Sequence, residues 1–278
     1  MYYHFVARTY RNATPFNDPK KAYWAWRILK AAFPDALAVT LMPNHIHLVL
    51  KSDSPKQDRT KLAHILGRFT FVFDEKTPFW QPVPEPHPIV SQEKLRRDIR
   101  YVLLNPCRAK LCNDPLAWKW STYRGSIGAA MNPWVSPKRL LQALGGTSIQ
   151  NHRYLSSDPS VSVQGTSLPT AVLPSKTPQK NLQDIAAAVF SAAEEPHDPQ
   201  LFQIKKSVVR VLFVRLAYHQ GWQDAATLAQ FMQISYSTTW KLVQREKNKD
   251  CSAAALCLGD ERLRKSVRPH LEENLPFE

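Results

Sequence analysis

Apolar and polar positions change period several times along the chain. Tyr2 to Thr9 is β-branched and aromatic with polar interruptions, which predicts a strand. Asp18, followed by Pro19, opens a stretch in which Tyr23, Trp26, Ile28 and Leu29 form one apolar helical face, so a helix is expected from Asp18 to Phe33. Two short apolar runs, Leu37 to Leu41 and Ile46 to Leu50, are joined through Met42-Pro43-Asn44 and predict two strands and a turn. Leu62, Ile65, Leu66 and Phe69 restore the helical spacing between Asp58 and Phe73. Pro82, Pro84, Pro86 and Pro88 then exclude a central strand and leave an extended loop or a sheet edge. Ser91 caps a helix expected to run to about Asn105, where Pro106 helps to stop it. The pattern predicts an α+β domain, an antiparallel sheet with helices on one face.

The stretch from Ser156 to Lys180 is rich in Ser, Thr and Pro and reads as a linker. Beyond it the pattern is all helical. Helices are expected at Asn181 to Ala193, Leu201 to His219 and Asp224 to Met232, then, after Ile234-Ser235, at Tyr236 to Arg245. The chain thus divides into residues 1–155, a linker 156–180 and a helical domain 181–278, without internal repeats.

Charge sharpens this division. The whole chain carries a formal +14. Residues 1–155 hold 23 Lys/Arg against 10 Asp/Glu, a net +13, whereas residues 200–278 have a net +4. A polyanion is the expected partner, bound mainly by the first domain. The first twenty residues are too polar for a secretory leader, and no apolar run approaches the ~20 residues that span a bilayer. Four cysteines without a C-x-x-C pair suit free thiols in a reducing compartment. A cytoplasmic protein with no membrane partner is therefore expected.

Candidate chemistry lies in two places. In Met42-Pro43-Asn44-His45-Ile46-His47, the histidines are two apart on a strand and project from one face, where two neutral imidazoles can hold a divalent ion. The pattern equally suits two ordinary histidines at a strand's start. On the helix after Ser91, Tyr101 and Asn105 are one turn apart on one face. Tyr101 is either a half-buried packing residue or a nucleophile that needs a cation or base to attack phosphate. Arg96, Arg97, Arg100 and Arg108 surround it and could grip a phosphate strand.

The two segments MPNHIHLVL and YVLLNPCRAKL, with the later Trp118-Lys119-Trp120-Ser121-Thr122-Tyr123, resemble the single-tyrosine transposases of the HUH endonuclease superfamily, in particular the REP-associated branch. The resemblance covers about residues 2–155. It implies a ferredoxin-like fold, His45, His47 and Asn105 as ligands of Mg²⁺ or Mn²⁺, and Tyr101 as the nucleophile. It further implies transposase activity on single-stranded or hairpin DNA through a 5′-phosphotyrosine intermediate. One departure is Trp80-Gln81-Pro82-Val83-Pro84, where many relatives have W-x-x-R-F; the basic contact expected there is missing.

TLAQFMQISYSTTWKLVQREK is loosely similar to the DNA-binding domain of the replication initiator DnaA, which implies a helix-turn-helix module. Ser237, Thr238 and Lys241 are its candidate contacts to duplex DNA, with Thr239, Gln244 and Arg245 also able to face it. A plain helical bundle fits the same pattern. Two other functions remain: a non-catalytic DNA-binding regulator on the same fold, and a metal-dependent hydrolase of small phosphate esters, which leaves the charge unused.

Overall fold

The computed structural model describes residues 1–73, 79–204, 207–246 and 250–265. The chain forms two compact units. Among the described residues the first holds 1–127 and 134–168, and the second 128–133 and 169–265.

The first unit is built on strands β1 (Tyr2–Arg8), β2 (Ala36–Met42), β3 (His45–Lys51) and β4 (His87–Ile89), hydrogen-bonded in the order β2-β3-β1-β4 with every pair antiparallel. Helix α1 (Pro19–Ala32) joins β1 to β2, and α2 (Pro55–Val72) leads from β3 toward β4. This chain order and strand order are those of a ferredoxin-like split βαβ layer. Pro43 and Asn44 make the β2–β3 turn, with Met42 opposite His45. The proline series falls at the edge, where Pro88 sits in the three-residue β4 opposite Tyr3. Residues outside the other edge cover β2: the Leu41 N–H donates to the Trp120 carbonyl (2.9 Å), and the Trp118 indole donates to the Leu41 carbonyl (3.0 Å).

Strand alternation sends Phe5, Ala7, Ile46 and Leu48 to one face, where they pack with Trp26 and Leu29 of α1 and Leu62, Leu66 and Phe69 of α2. Asp18 caps α1 as its pattern predicts, accepting from the Lys20 N–H at 2.8 Å. Helix α2 begins at Pro55, one turn before the expected Asp58, because Pro suits the first helical turn.

Helix α3 (Gln92–Arg108), capped by Ser91 as expected, lies on the opposite face, so helices cover both faces of the sheet and not the one expected. It does not stop at Asn105. Pro106 is inside the helix. A helical proline removes the bond to the carbonyl four residues back, here Val102. The Thr40 hydroxyl of β2 donates to that carbonyl at 2.9 Å, so no buried acceptor is stranded. Short helices α4 (Tyr123–Ser126), α5 (Pro137–Leu144) and α6 (Ser148–Ser156) complete the unit.

The stretch read as a linker, 156–180, contains the division between the two units at 168/169, and each part is bonded within its own unit. Ser162 N–H donates to the Asn113 carbonyl, and Asp158 pairs with Arg108 at 2.8 Å, which fixes residues 157–168 in the first unit. Further on, Ser175 N–H donates to the His219 carbonyl and the Trp222 indole to the Lys180 carbonyl, inside the second unit. Gly221, at φ 88°, is required there because a Cβ would strike the Thr177 backbone.

The second unit is helical: α7 (Leu182–Ala192), α8 (Val208–His219), α9 (Ala225–Met232), α10 (Tyr236–Glu246), α11 (Ser252–Gly259) and α12 (Glu261–Arg264). The single helix expected from Leu201 to His219 is broken. Pro199–Phe202 is a short 3-10 turn that buries Phe202 against Phe190 and Phe213, and α8 starts only at Val208. Asp224 caps α9, and Gln233 in the left-handed conformation turns the chain into α10. The last part of the expected domain, 266–278, lies outside the described residues. Among those residues no helix is long and apolar enough to cross a membrane.

Candidate active site

The face of the sheet beneath α3 is polar where the other is apolar. His45 and His47 project from β3, and the antiparallel register sets Arg8 opposite His45 and Val6 opposite His47. His4, two residues before Val6, shares their face. The His45 and His47 rings lie 4.8 Å apart between centroids and nearly perpendicular. All three histidines are buried, yet each finds a partner.

Those partners set the tautomers. His45 Nδ1 is 2.6 Å from Asn44 Oδ1, an acceptor, so the Nδ1–H form is favoured and Nε2 keeps its lone pair. His47 Nδ1 is 3.0 Å from His4 Nε2, and His47 Nε2 is 2.9 Å from the Asn105 amide, which donates to it. Burial holds all three imidazoles neutral: His4 and His45 are lowered to about 4, and His47 well below its ordinary value. The nearby Arg8 charge adds to the effect on His45 and, after the neighbouring histidines, on His47.

Helix α3 delivers Asn105 and Tyr101 to this surface. Its buried stripe of Leu95, Ile99, Val102 and Leu103 fixes its rotation. The Tyr101 ring stands 5.6 Å from His47 and 6.0 Å from His4, and remains 39% exposed. Arg108 lies over the same ring, 5.5 Å from its centroid.

Two imidazole nitrogens and an amide are donors that can share a divalent ion. Adjacent ligands of an octahedral shell with bonds of ~2.1 Å stand about 3.0 Å apart. The Asn105 amide and His47 Nε2 are separated by 2.9 Å, and an amide can present its oxygen instead of its nitrogen by a flip. The acceptors behind both histidines provide the outer support that metal-binding imidazoles need. Among the described residues no group of three or more His, Cys, Asp or Glu is placed to hold a metal, so any ion here depends on the Asn105 amide.

The arginines named from sequence divide. Arg96 donates to the Leu144 carbonyl and stacks on Tyr154; Arg100 also stacks on Tyr154 and lies 3.7 Å from Asp158. Both fasten later segments to α3. Arg97 is exposed, with only a 3.8 Å approach to Glu93, and is open to a partner. In the second unit Ser237 and Lys241 are exposed, as is Gln244, and Thr238 is half-buried beside Ser235 (2.8 Å). Thr239 does not face outward: it is fully buried and bonds the Ser235 carbonyl. The Arg245 side chain lies outside the described residues.

No protein-family model matches the sequence, and no curated protein does. One solved structure is similar, that of a REP-associated tyrosine transposase bound to a REP hairpin. The likeness is 18% identity over 48% of this chain and 82% of that chain, with a TM-score of 0.41. At that level, chemistry must be read from this chain's own residues.

Those residues include some that sequence reasoning missed. His4, Arg8 and Asn44 all belong to the site's surroundings. Strand pairing was the absent signal, since His4 and Arg8 meet the histidine pair only through the β1–β3 register. The loop lacking the expected basic residue runs beside β1. Gln81 N–H donates to the Arg8 carbonyl, and Trp80 packs on Phe16.

Proposed function

We propose that the chain is a DNA transposase that nicks and rejoins single-stranded or hairpin DNA through Tyr101, with Mg²⁺ or Mn²⁺ held by His45, His47 and Asn105. The observation that carries this reading is the convergence on one surface of a half-exposed phenol, two neutral imidazoles whose Nε2 atoms are acceptors, and an amide already bonded to one of them. The bound ion would supply Lewis-acid polarisation of the scissile phosphodiester. The Tyr101 oxygen attacks phosphorus, forming a bond to the 5′-phosphate as the bond to the 3′-oxygen breaks. The phenolic proton passes to solvent, which reaches the exposed ring. A free 3′-OH reverses the step. Each exchange conserves one phosphodiester, so no nucleotide cofactor is needed, in keeping with the absence of a G-x-x-x-x-G-K-[ST] loop. Asn44 and His4 hold the imidazoles in their ligating tautomers, and Arg108 holds the Tyr101 ring.

The net +13 of residues 1–155 supports a phosphate-rich substrate over a small ester. In the second unit, the exposed Ser237, Lys241 and Gln244 on α10 support a duplex-binding role, which would keep the protein near the nucleoid. The deciding experiment incubates the full chain and Mn²⁺ with labelled hairpin oligonucleotides bearing randomised flanks, and looks for a denaturation-resistant adduct. An adduct lost in Tyr101→Phe supports the mechanism. DNA binding with no adduct under any condition points instead to a non-catalytic regulator.

A further inference from the structure

The sheet face that carries the histidines opens into a cleft of about 410 Å³, and among the described residues Arg8 is the one permanently charged side chain that lines it. Tyr101, His47 and His87 also line it, with Pro82 and Pro84 as an apolar wall. None of the described lining residues is a carboxylate. Arg96, Arg100 and Arg108 are each committed to partners within the chain, whereas the Arg8 guanidinium has no hydrogen bond or ion pair among the described residues. The Arg8 main chain is anchored beside the cleft, paired with His45 on one side and accepting from Gln81 N–H on the other, and its side chain is exposed. An exposed guanidinium with no anion on it, set beside imidazoles and a phenol, can turn its fork of donors to a phosphate from outside. The cleft is at the small end of ligand sites, ~300–1,000 Å³, which suits about one nucleotide and excludes a duplex.

We propose that Arg8 and this cleft form a nucleotide subsite, in which the guanidinium holds the phosphodiester next to Tyr101 and the Pro82–Pro84 wall receives the attached base. This rests on the strand-transfer reading above and adds a substrate-binding residue to it. Arg8 is a binding group here, and no bond is made or broken on it.

The test uses the full chain in chelator, with the dinucleotide TpT and its uncharged methylphosphonate analogue as probes, read by NMR of the histidine ring protons. TpT is expected to shift the His87 and His4 signals and to bind about tenfold more tightly than the analogue. Arg8→Gln should lose that preference, and Arg8→Lys should recover part of it. Equal preference in Arg8→Gln and wild type, or shifts confined to other histidines, would overturn the proposal. Adduct formation separates the two readings. If wild type shows Arg8-dependent TpT binding and no adduct with any hairpin, the subsite stands and the reaction fails. If Arg8→Gln forms adduct at the wild-type rate, the reaction stands and the subsite fails.

Discussion

The two faces of the four-stranded sheet bury side chains for opposite ends. Beneath α1 and α2, Phe5, Ala7, Ile46 and Leu48 meet other apolar groups, and what counts is volume. Beneath α3, His4, Thr40, His47 and Asn105 are also buried, but each is bonded to a named partner. Buried polar groups are tolerated only when satisfied, so this second face is specified by direction as well as by size. A two-residue period therefore separates stability from chemistry within single strands: Ile46 and Leu48 interleave with His45 and His47.

Substitutions should break along that line. Tyr101→Phe should abolish adduct formation, a loss of ~10³-fold or more, with an unchanged thermal midpoint, because only an exposed hydroxyl is removed. Gel assay beside differential scanning calorimetry checks both halves. His47→Ala tests the sharing of roles: Mn²⁺ affinity by calorimetry should fall ~10-fold or more, and stability by about 1–3 kcal/mol, since two buried bonds lose a member. Leu48→Ala should do the reverse, costing about 2–5 kcal/mol in urea titration and leaving adduct yield per folded molecule intact.

A smaller effect concerns the flank of α3. Burial alone would raise the Asp158 carboxyl, but bonds from Ser160 and Arg108 bring it down to about 2. A depressed carboxyl stabilises the fold above its unfolded value, near 3.8, and loses that contribution as pH falls from there toward 2. Acid titration of wild type and Asp158→Asn should therefore differ in stability above pH 4 and converge near pH 2. The pair is partly solvent-screened, so the difference should be at most about 1 kcal/mol. The smallest effect expected is Lys241→Ala, which should lower duplex binding and reduce its salt slope by about one unit while adduct yield on short hairpins stays constant.

Local pattern made much of this legible. The strand pair around Pro43-Asn44, the Asp18 and Ser91 caps and the i, i+2 histidines are all written in neighbouring residues. What escaped depended on distant ones. Pro106 reads as a helix stop until Thr40, far away in sequence, relieves Val102. Leu201 and Phe202 carry helical spacing, but Phe202 is claimed by an aromatic cluster with Phe190 and Phe213. Asp158 looks like a linker residue until its arginine partners are known. His4 and Arg8 needed the strand register, and Thr239 needed the packing of α10 against its neighbours.

The Thr40–Val102 bond has a consequence in degrees of freedom. It pins α3 to the sheet at a point lying between Tyr101 and Asn105 in sequence. A helix held at mid-length can rock about the pin but cannot slide along its own axis without breaking it. A slip of one residue would move Asn105 by ~1.5 Å, three times the ~0.5 Å tolerance of a working site. The proline that interrupts the helix thus frees the carbonyl that stops it from drifting.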